Sequence, residues 1–263
     1  LSFNRIYGEI PDFMTQWTKL TQLGLSENYM VGTIPRLLNQ LIQLQDLSLA
    51  GNLFEGSLPG QFPAPFPNLT SFNVARNRLT GSLPIFSNTN NPSLIKISLQ
   101  QNLFSEKIPS EYGYLQSLRY LEIFNNLLTG EIPTSFQSLV HLNLFSCYGN
   151  SLNGTLDNLF TNRTSMRNVI LGQNFFTGSA FPFDGAYFND TVTFEIYYNL
   201  LEGTIPSKRG IYELLSYLDL GENLIHGTIP NMIGNASFLS YLYLDDNMFS
   251  GTIPSTIGLR SID

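Results

Sequence analysis

Two histidines and one cysteine are the residues of this chain best suited to nucleophilic or acid–base chemistry. His141 and His226 fall at unlike positions of a pattern that recurs along the chain, so neither shares a surface with the other or with a candidate nucleophile. An acid–base dyad or a metal pair needs both groups within reach of one atom. Cys147 occupies an apolar position of the pattern, which predicts a buried, unreactive thiol. We therefore expect no catalytic site, no metal site, no cofactor and no enzymatic activity.

Charge and hydropathy exclude further classes of site. The formal net charge is −7, and the 13 basic residues form no cluster. Phosphate binding needs a basic surface, so we expect no nucleic-acid partner. The adjacent carboxylates of Asp245 and Asp246 lack the additional oxygen ligands of a calcium site. No apolar run approaches the length of about 20 residues that a membrane-spanning helix needs, so we expect no membrane span within this chain.

The strongest pattern is an asparagine that recurs every 24 or 25 residues within the phrase L-x-x-L-x-L-x-x-N-x-L-x-G-x-I-P. The phrase is plain from Leu215 to Pro230, LSYLDLGENLIHGTIP. A fixed period of this length is typical of a solenoid, in which each turn buries its apolar face against the next. The pattern predicts a single domain, residues 1–263, of about 11 repeats. The asparagines are Asn4, Asn28, Asn52, Asn77, Asn102, Asn126, Asn150, Asn174, Asn199, Asn223 and Asn247.

Positions counted from each asparagine assign roles to the rest of the repeat. Positions −8, −5 and −3 are apolar, as in Leu94, Ile97 and Leu99, and the −5/−3 alternation predicts a strand. Position +2 is apolar throughout. Position +4 is glycine in every repeat except that of Glu106, and this glycine predicts a turn or a close backbone approach at position +4. The spacing I-P-x-x-L-x-x-L after position +4 predicts a short 3₁₀ or helical segment.

The asparagine itself has a structural explanation. Its side chain carries two donors and an acceptor, so stacked copies can satisfy backbone groups at the bend after each strand. The regular spacing predicts a ladder of buried asparagines rather than a set of ordinary turns, and no catalytic role.

The L-x-G-x-I-P sequence after each asparagine resembles the 24-residue leucine-rich repeats of plant receptor-like kinases, receptor-like proteins and related protist and algal proteins. The resemblance covers essentially the whole chain. It implies an α/β solenoid, namely a right-handed arc with a concave parallel β-sheet and a convex side of short 3₁₀ or helical turns. It also implies an extracellular recognition role. The chain departs from the pattern at Asp157, which replaces a proline, and at Arg163, which occupies an apolar position, while residues 62–67 and 179–189 are expected to distort the convex side.

The two ends of the chain also depart from this family. Its terminal caps usually carry paired cysteines, whereas Cys147 is the only cysteine here. The chain starts within a repeat and ends within a convex segment, and an uncapped solenoid exposes its core at both ends. We therefore expect an internal fragment of a longer protein, lacking both caps.

Five Asn-x-Ser/Thr sequences are candidates for N-glycosylation. All five lie outside the strand-face positions, on the convex side or lateral edges, where a glycan is sterically tolerated. Together with the resemblance, this placement predicts passage through the secretory pathway and an extracellular or cell-surface location. The candidates are Asn68, Asn153, Asn162, Asn189 and Asn235.

A partner-binding surface is predicted on the concave face, at the outward strand positions −6, −4, −2 and −1. The first repeats carry small or polar residues there, whereas the middle and last repeats carry tyrosines and carboxylates. Exposed tyrosine suits binding because it offers a large, rigid area with a polar tip, although tyrosine ladders also simply stabilise sheets. The predicted partner-binding residues are Tyr120, Glu122, Phe124, Tyr148, Glu195, Tyr197, Tyr198, Tyr217, Asp219, Glu222, Tyr241, Tyr243, Asp245 and Asp246.

The sequence leaves several functions open. The first is a non-catalytic recognition domain of a receptor-like or secreted protein, which binds a peptide, protein or glycan on its concave face. The second is a structural component of the extracellular matrix, the cell surface or a filament, which assembles with other subunits through its ends or lateral faces. An inhibitor of cell-wall-degrading enzymes is a third interpretation, and it uses the same concave face.

Overall fold

The chain forms a solenoid in a computed structural model, which describes residues 1–59, 66–160, 166–182, 188–208 and 210–257. Each described repeat contributes a strand to one sheet, turns at its asparagine, enters a second sheet, and returns along the convex side. The α/β solenoid predicted from the repeat is confirmed. Among the described residues, no helix has the length and apolar character needed to cross a membrane.

The first sheet, here called the concave sheet, is parallel and contains ten strands of the described chain in sequence order. Each strand pairs in register with the next, so that Tyr120, Leu121 and Glu122 lie opposite Leu144, Phe145 and Ser146. The middle residue of each strand points into the core, and its two neighbours point outward. The strands are Gln22–Gly24, Asp46–Ser48, Ser71–Asn73, Lys96–Ser98, Tyr120–Glu122, Leu144–Ser146, Asn168–Ile170, Thr193–Glu195, Tyr217–Asp219 and Tyr241–Tyr243.

Strands after the asparagine form a second layer, here called the lateral sheet, which the repeat pattern did not predict as a continuous sheet. Its seven-stranded part contains Glu55–Ser57, Arg78–Ser82, Leu103–Glu106, Leu127–Glu131, Ser151–Gly154, Phe175–Ser179 and Leu200–Glu202. Two further parallel pairs join Tyr7–Gly8 with Tyr29–Met30 and His226–Thr228 with Met248–Ser250. Glycine at position +4 is explained here, because this residue has a positive φ in every repeat. A Cβ on Gly130, for example, would lie 3.0 Å from Cγ of Lys107 in the preceding repeat.

Replacing Glu106, the one non-glycine residue at position +4, by glycine is expected to raise the free energy of unfolding. Glu106 has φ 70°. A left-handed conformation costs a non-glycine residue about 1–2 kcal/mol, and glycine avoids this cost. Unfolded glycine has more conformational freedom to lose on folding, which offsets about 0.5–1 kcal/mol of the gain. The expected gain is up to about 1 kcal/mol, measured as a higher urea midpoint. Gly130→Ala is the matched control and should lower the midpoint; an unchanged or lower midpoint for Glu106→Gly would contradict the explanation.

The described convex side carries short helical segments, as predicted, although residues 83–93 form turns without one. The 3₁₀ segments are Asp12–Gln16, Arg36–Gln40, Ser110–Tyr114, Thr134–Ser138, Phe188–Asp190 and Asn231–Asn235. Where Asp157 replaces the usual proline, a single α-helical turn, Asp157–Phe160, takes the place of the 3₁₀ segment. Arg163, residues 62–65 and residues 183–187 lie outside the described residues, so the distortion expected at residues 62–67 and 179–189 stays a prediction.

One hydrophobic core runs the length of the described chain and contains the predicted inward positions. Cys147 is fully buried, and burial raises the pKa of its thiol, as expected for an unreactive cysteine. The asparagines form the predicted ladder. Asn52 is typical: its Nδ2 donates to the carbonyl oxygens of Leu49 at 3.1 Å and, in the preceding repeat, of Leu25 at 3.0 Å. Its Oδ1 accepts from the backbone N–H of Met30 at 3.0 Å, so the asparagine joins two consecutive repeats, as do the others from Asn28 to Asn247.

Candidate ligand-binding surface

The N-terminal part of the concave sheet satisfies its own polar groups. Ser26 and Ser48 share a hydrogen bond between their hydroxyls at 2.6 Å, and Arg76 forms an ion pair with Glu27. Small side chains dominate the outward positions of these strands. This part of the face offers little aromatic surface and no unpaired ion cluster for a partner.

The middle of the concave sheet carries the first predicted binding residues, and several of them contact one another. The Phe124 and Tyr148 rings stack with centroids 4.5 Å apart and an interplanar angle of 13°. Glu122 accepts a hydrogen bond from Ser98 at 3.0 Å and pairs with Lys96 at 3.3 Å. Of the predicted binding residues here, Tyr120 is the most exposed, at 39%. Part of the predicted surface is therefore engaged in contacts within the sheet.

Tyrosine side chains gather again in the last described repeats. The Tyr217 ring contacts those of Tyr241 and Tyr243, with centroid distances of 5.1 and 5.8 Å. Tyr241 and Tyr243 are 54% and 43% exposed. Tyr198 is 57% exposed and has φ 54°, a left-handed backbone conformation at the bend after the strand. These rings present a large aromatic area at the C-terminal end of the concave sheet.

Carboxylates accompany these tyrosines. Glu195 and Asp219 lie opposite each other in neighbouring strands, and Asp219 Oδ1 accepts the backbone N–H of Gly221 at 3.1 Å. Burial, and then the charge of Asp219, raises the pKa of Glu195. Burial also raises the pKa of Asp219, with the charges of Asp245 and Glu222 adding to it and the Gly221 hydrogen bond opposing it. Burial and the nearby carboxylates Glu195 and Asp219 raise the pKa of Tyr217 to about 12.

The outward residues of the last described repeats form one surface, which we call the tyrosine–carboxylate surface. Its exposed margin includes the carboxylates of Glu222, Asp245 and Asp246. No group of three His, Cys, Asp or Glu side chains suited to a metal ion occurs among the described residues. The surface consists of Glu195, Tyr197, Tyr198, Tyr217, Asp219, Glu222, Tyr241, Tyr243, Asp245 and Asp246.

The raised carboxyl pKa values predict that this surface destabilises the fold at neutral pH. A folded-state pKa above the unfolded value means that the folded protein binds protons first, so its stability rises as the pH falls through the raised values towards 4.5 for Glu195 and 3.8 for Asp219. The double variant Glu195→Gln and Asp219→Asn should therefore unfold at a higher temperature than the unsubstituted chain at neutral pH. Thermal melts should show this advantage shrinking with acidification. The exposed Glu55→Gln variant is the control, and a pH-independent advantage would contradict the assignment.

A model of the Leucine Rich Repeat family matches residues 117–139, 214–236 and 238–259. These segments carry the same asparagine-centred repeat that the structure stacks into two parallel sheets. The chain is a leucine-rich repeat protein. No match to a curated protein sequence is found.

Solved structures similar to this leucine-rich repeat protein include plant receptors. The PEPR1–AtPEP1 crystal structure is 34% identical with a TM-score of 0.86, and the match covers 98% of this chain and 36% of that one. A TDR receptor is 30% identical with a TM-score of 0.90, over 98% of this chain and 44% of that one. The Arabidopsis receptor kinase HAESA, in complex with the peptide hormone IDA and the co-receptor SERK1, is 31% identical with a TM-score of 0.86, over 96% of this chain and 42% of that one. The chain thus spans about two fifths of the length of these structures, and its repeats are of the plant type.

Two features of the leucine-rich repeat surface were missed in the sequence, although their signals are visible there. Gly172 and Gly221 interrupt the −2 column, so that neighbouring side chains occupy the space that a side chain at these two positions would fill. Apolar residues also recur at position +1, where they form a row on the lateral sheet. The row comprises Leu103, Leu127, Phe175, Leu200, Leu224 and Met248, which are 44–56% exposed.

The candidate glycosylation sites of the leucine-rich repeat protein lie away from the concave sheet. Asn68, Asn189 and Asn235 are exposed on the convex side, and Asn153 is exposed on the lateral strand Ser151–Gly154. Asn162 lies outside the described residues. A glycan at any of the four described sites would leave the tyrosine–carboxylate surface uncovered.

Proposed function

We propose that this chain is the ligand-binding part of a non-catalytic, extracellular or cell-surface receptor-like or secreted protein. Its ligand is a peptide or a peptide segment of a protein, bound on the concave sheet. The tyrosine–carboxylate surface carries the proposal, because it combines exposed aromatic area with charge on a rigid sheet. The similarity to HAESA, whose structure contains a peptide hormone, supports the choice of a peptide over a glycan.

The proposal is tested by selecting a random linear peptide library on the purified chain and on a triple variant. Replacing Tyr197, Tyr217 and Tyr243 by alanine removes aromatic area from the proposed site. The matched control replaces Tyr7, Tyr29 and Tyr114, which are 85%, 58% and 56% exposed elsewhere on the surface. We expect the selected peptides to bind the unsubstituted and control chains and to lose at least about tenfold in affinity for the site variant. Peptides that bind all three chains equally, or the absence of any selected peptide, would overturn the proposal.

Location is tested separately on the natively isolated protein. The proposal expects mass spectrometry to find glycans on at least one of Asn68, Asn153, Asn189 and Asn235, which are exposed in the structure. Bare asparagines at all of these positions would count against an extracellular or cell-surface protein.

A second function, as a structural component, is favoured by a different observation. The apolar row at position +1 extends along the lateral sheet, interrupted by Ser151, and offers apolar area for burial against another subunit. Sedimentation that shows concentration-dependent assembly, abolished by Leu127→Ser and Leu200→Ser, would support this function. A monomer at all concentrations would exclude self-assembly.

A further inference from the structure

An open groove lies at the bend where the concave sheet passes into the lateral sheet. We call it the Tyr198 groove. Its volume of about 310 Å³ is at the small end of the range of about 300–1,000 Å³ that is typical of ligand sites, so it has room for a side chain of a ligand rather than for a folded element. The lining residues come from three consecutive repeats and are Asn174, Phe175, Tyr198, Asn199, Leu200 and Glu222.

The walls of the Tyr198 groove are apolar and exposed. Phe175 and Leu200 begin two neighbouring lateral strands, and about half of each side chain is in contact with water. Tyr198 is also more than half exposed. Within the part of the chain that the structure describes, its ring stacks on no other ring, unlike that of Tyr217. The three side chains therefore hold apolar area that the fold itself does not bury.

The floor of the groove consists of two ladder asparagines whose amides are already hydrogen-bonded. Nδ2 of Asn174 donates to the carbonyl oxygen of Leu171 at 3.1 Å, and its Oδ1 accepts the backbone N–H of Leu152 at 3.0 Å. Asn199 is held by the corresponding bonds. A polar group on this floor would lose its water without gaining a partner, whereas an apolar group would gain from burial. The groove therefore favours an apolar occupant.

An aromatic residue at position −1 distinguishes this stretch of the bend from the others. Every residue at position −1 has a positive φ, which favours glycine and asparagine over bulky residues. From Glu27 onward, the other residues at this position are glycines, amides or charged residues. Leu103 and Leu127 also occupy position +1 of the lateral sheet. The residues at position −1 beside them are Asn125 and Gly149, which provide no ring. The backbone of the bend therefore does not require a tyrosine.

The groove is continuous with the tyrosine–carboxylate surface, because Tyr198 and Glu222 belong to both. Carboxylates lie next to it on both sheets. Glu222 lines the groove at the concave edge, and Glu202 follows Leu200 by two residues in the same lateral strand. Both are exposed, and neither forms an ion pair with another described residue. A peptide on the concave sheet can therefore reach the groove, and a basic residue beside the inserted one would meet complementary charge.

We propose that the Tyr198 groove receives an aliphatic or aromatic side chain of the bound peptide, and that a lysine or arginine is adjacent to that residue in the peptide. Phe175 and Leu200 contact the apolar side chain, and the Tyr198 ring packs against it. Glu202 and Glu222 attract the basic neighbour. This inference rests on the proposed function and specifies its ligand: the peptide crosses from the concave sheet to the lateral sheet at the groove.

The test uses the random peptide library already described. We expect the selected peptides to share one apolar position adjacent to a lysine or arginine. Their affinity should fall at least about tenfold for the groove variant, Phe175→Ala combined with Leu200→Ala, which removes both walls. The matched control combines Leu103→Ala with Leu127→Ala in the same row, where no ring stands at position −1, and should leave the affinity unchanged. All four side chains are 47–56% exposed, so both variants should fold, which urea unfolding checks.

Substitutions in a selected peptide separate the groove from other contacts. Replacing the shared apolar residue by alanine should weaken binding to the unsubstituted and control chains at least about tenfold and leave binding to the groove variant nearly unchanged. Glu202→Gln combined with Glu222→Gln should weaken binding of the selected peptide. The same pair of substitutions should have little effect on a peptide whose basic residue is replaced by norleucine.

The outcomes distinguish failure of this inference from failure of the proposed function. Tyrosine-dependent peptides that bind the groove variant as tightly as the unsubstituted chain, or that share no apolar position beside a basic residue, would overturn the inference and leave the proposed function intact. Self-association that the groove variant loses and the control keeps, with peptide affinity unchanged, would assign the groove to a second copy of the chain and also overturn the inference. Failure to select any tyrosine-dependent peptide would overturn both.

Discussion

Asn126→Ala is expected to lower the free energy of unfolding by about 1–3 kcal/mol. Asn126 is 6% exposed, and its Nδ2 donates to the carbonyl oxygens of Leu99 at 3.2 Å and of Ile123 at 3.1 Å. Its Oδ1 accepts the backbone N–H of Phe104 at 3.1 Å. Alanine leaves the buried N–H of Phe104 without this acceptor, and a buried group left unpaired costs about 1–3 kcal/mol. The carbonyl oxygens of Leu99 and Ile123 lose one donor each but keep Nδ2 of Asn102 at 3.2 Å and of Asn150 at 3.1 Å. Because Leu99 and Phe104 belong to the preceding repeat, the loss weakens the contact between two turns of the solenoid.

Urea unfolding followed by circular dichroism measures this effect. Asn88→Ala is the control, because Asn88 is exposed on the convex side, outside the asparagine column. The control should change stability by less than about 0.5 kcal/mol, as surface substitutions usually do. Equal stability of the two variants would show that the ladder contributes no more than an ordinary surface asparagine. Separation of the unfolding curve into two transitions would locate the weakened junction between repeats.

The sequence predicts the frame of this fold because each frame position has one physical requirement that is repeated along the chain. The inward residue of each strand must be apolar, the asparagine must join two turns, and position +4 must adopt a positive φ. Periodicity exposes such requirements even without homologous sequences. The identification of the inward Cys147 and of the exception at Glu106 follows from the same reasoning.

The surface was predicted less completely, since its properties depend on contacts between repeats. The column positions of Glu122 and Phe124 are evident from the sequence, but the ion pair of Glu122 with Lys96 and the stacking of Phe124 on Tyr148 depend on side-chain directions. Gly221 likewise reads as an ordinary small residue until the carboxylates on both sides of it are placed. Whether the predicted residues bind a partner stays a prediction, to be decided by the library selections.

Asn91→Leu is expected to have the opposite effect to Asn126→Ala and to raise the free energy of unfolding by about 1–3 kcal/mol. Asn91 is fully buried, and neither its Nδ2 nor its Oδ1 has a hydrogen-bond partner among the described residues. It lies eleven residues before Asn102, and the corresponding residues of the adjacent repeats are the buried Phe66 and Leu115. Leucine has the same number of side-chain heavy atoms as asparagine, so the substitution removes an uncompensated buried amide with little change of shape.

The same denaturation experiment decides this case, with Asn88→Leu as the exposed control. A gain in stability for Asn91→Leu alone would show that its amide is a cost within an otherwise apolar column. A loss would mean that the amide has a hydrogen-bond partner, for which a buried water is the simplest candidate. With a gain for Asn91→Leu and a loss for Asn126→Ala, the two variants separate two effects of one residue type: in the ladder the amide satisfies backbone groups of two repeats, whereas on the convex side it occupies a position where its neighbours are apolar. The contrast makes position in the repeat, rather than residue type, the quantity that determines the contribution of an asparagine to stability.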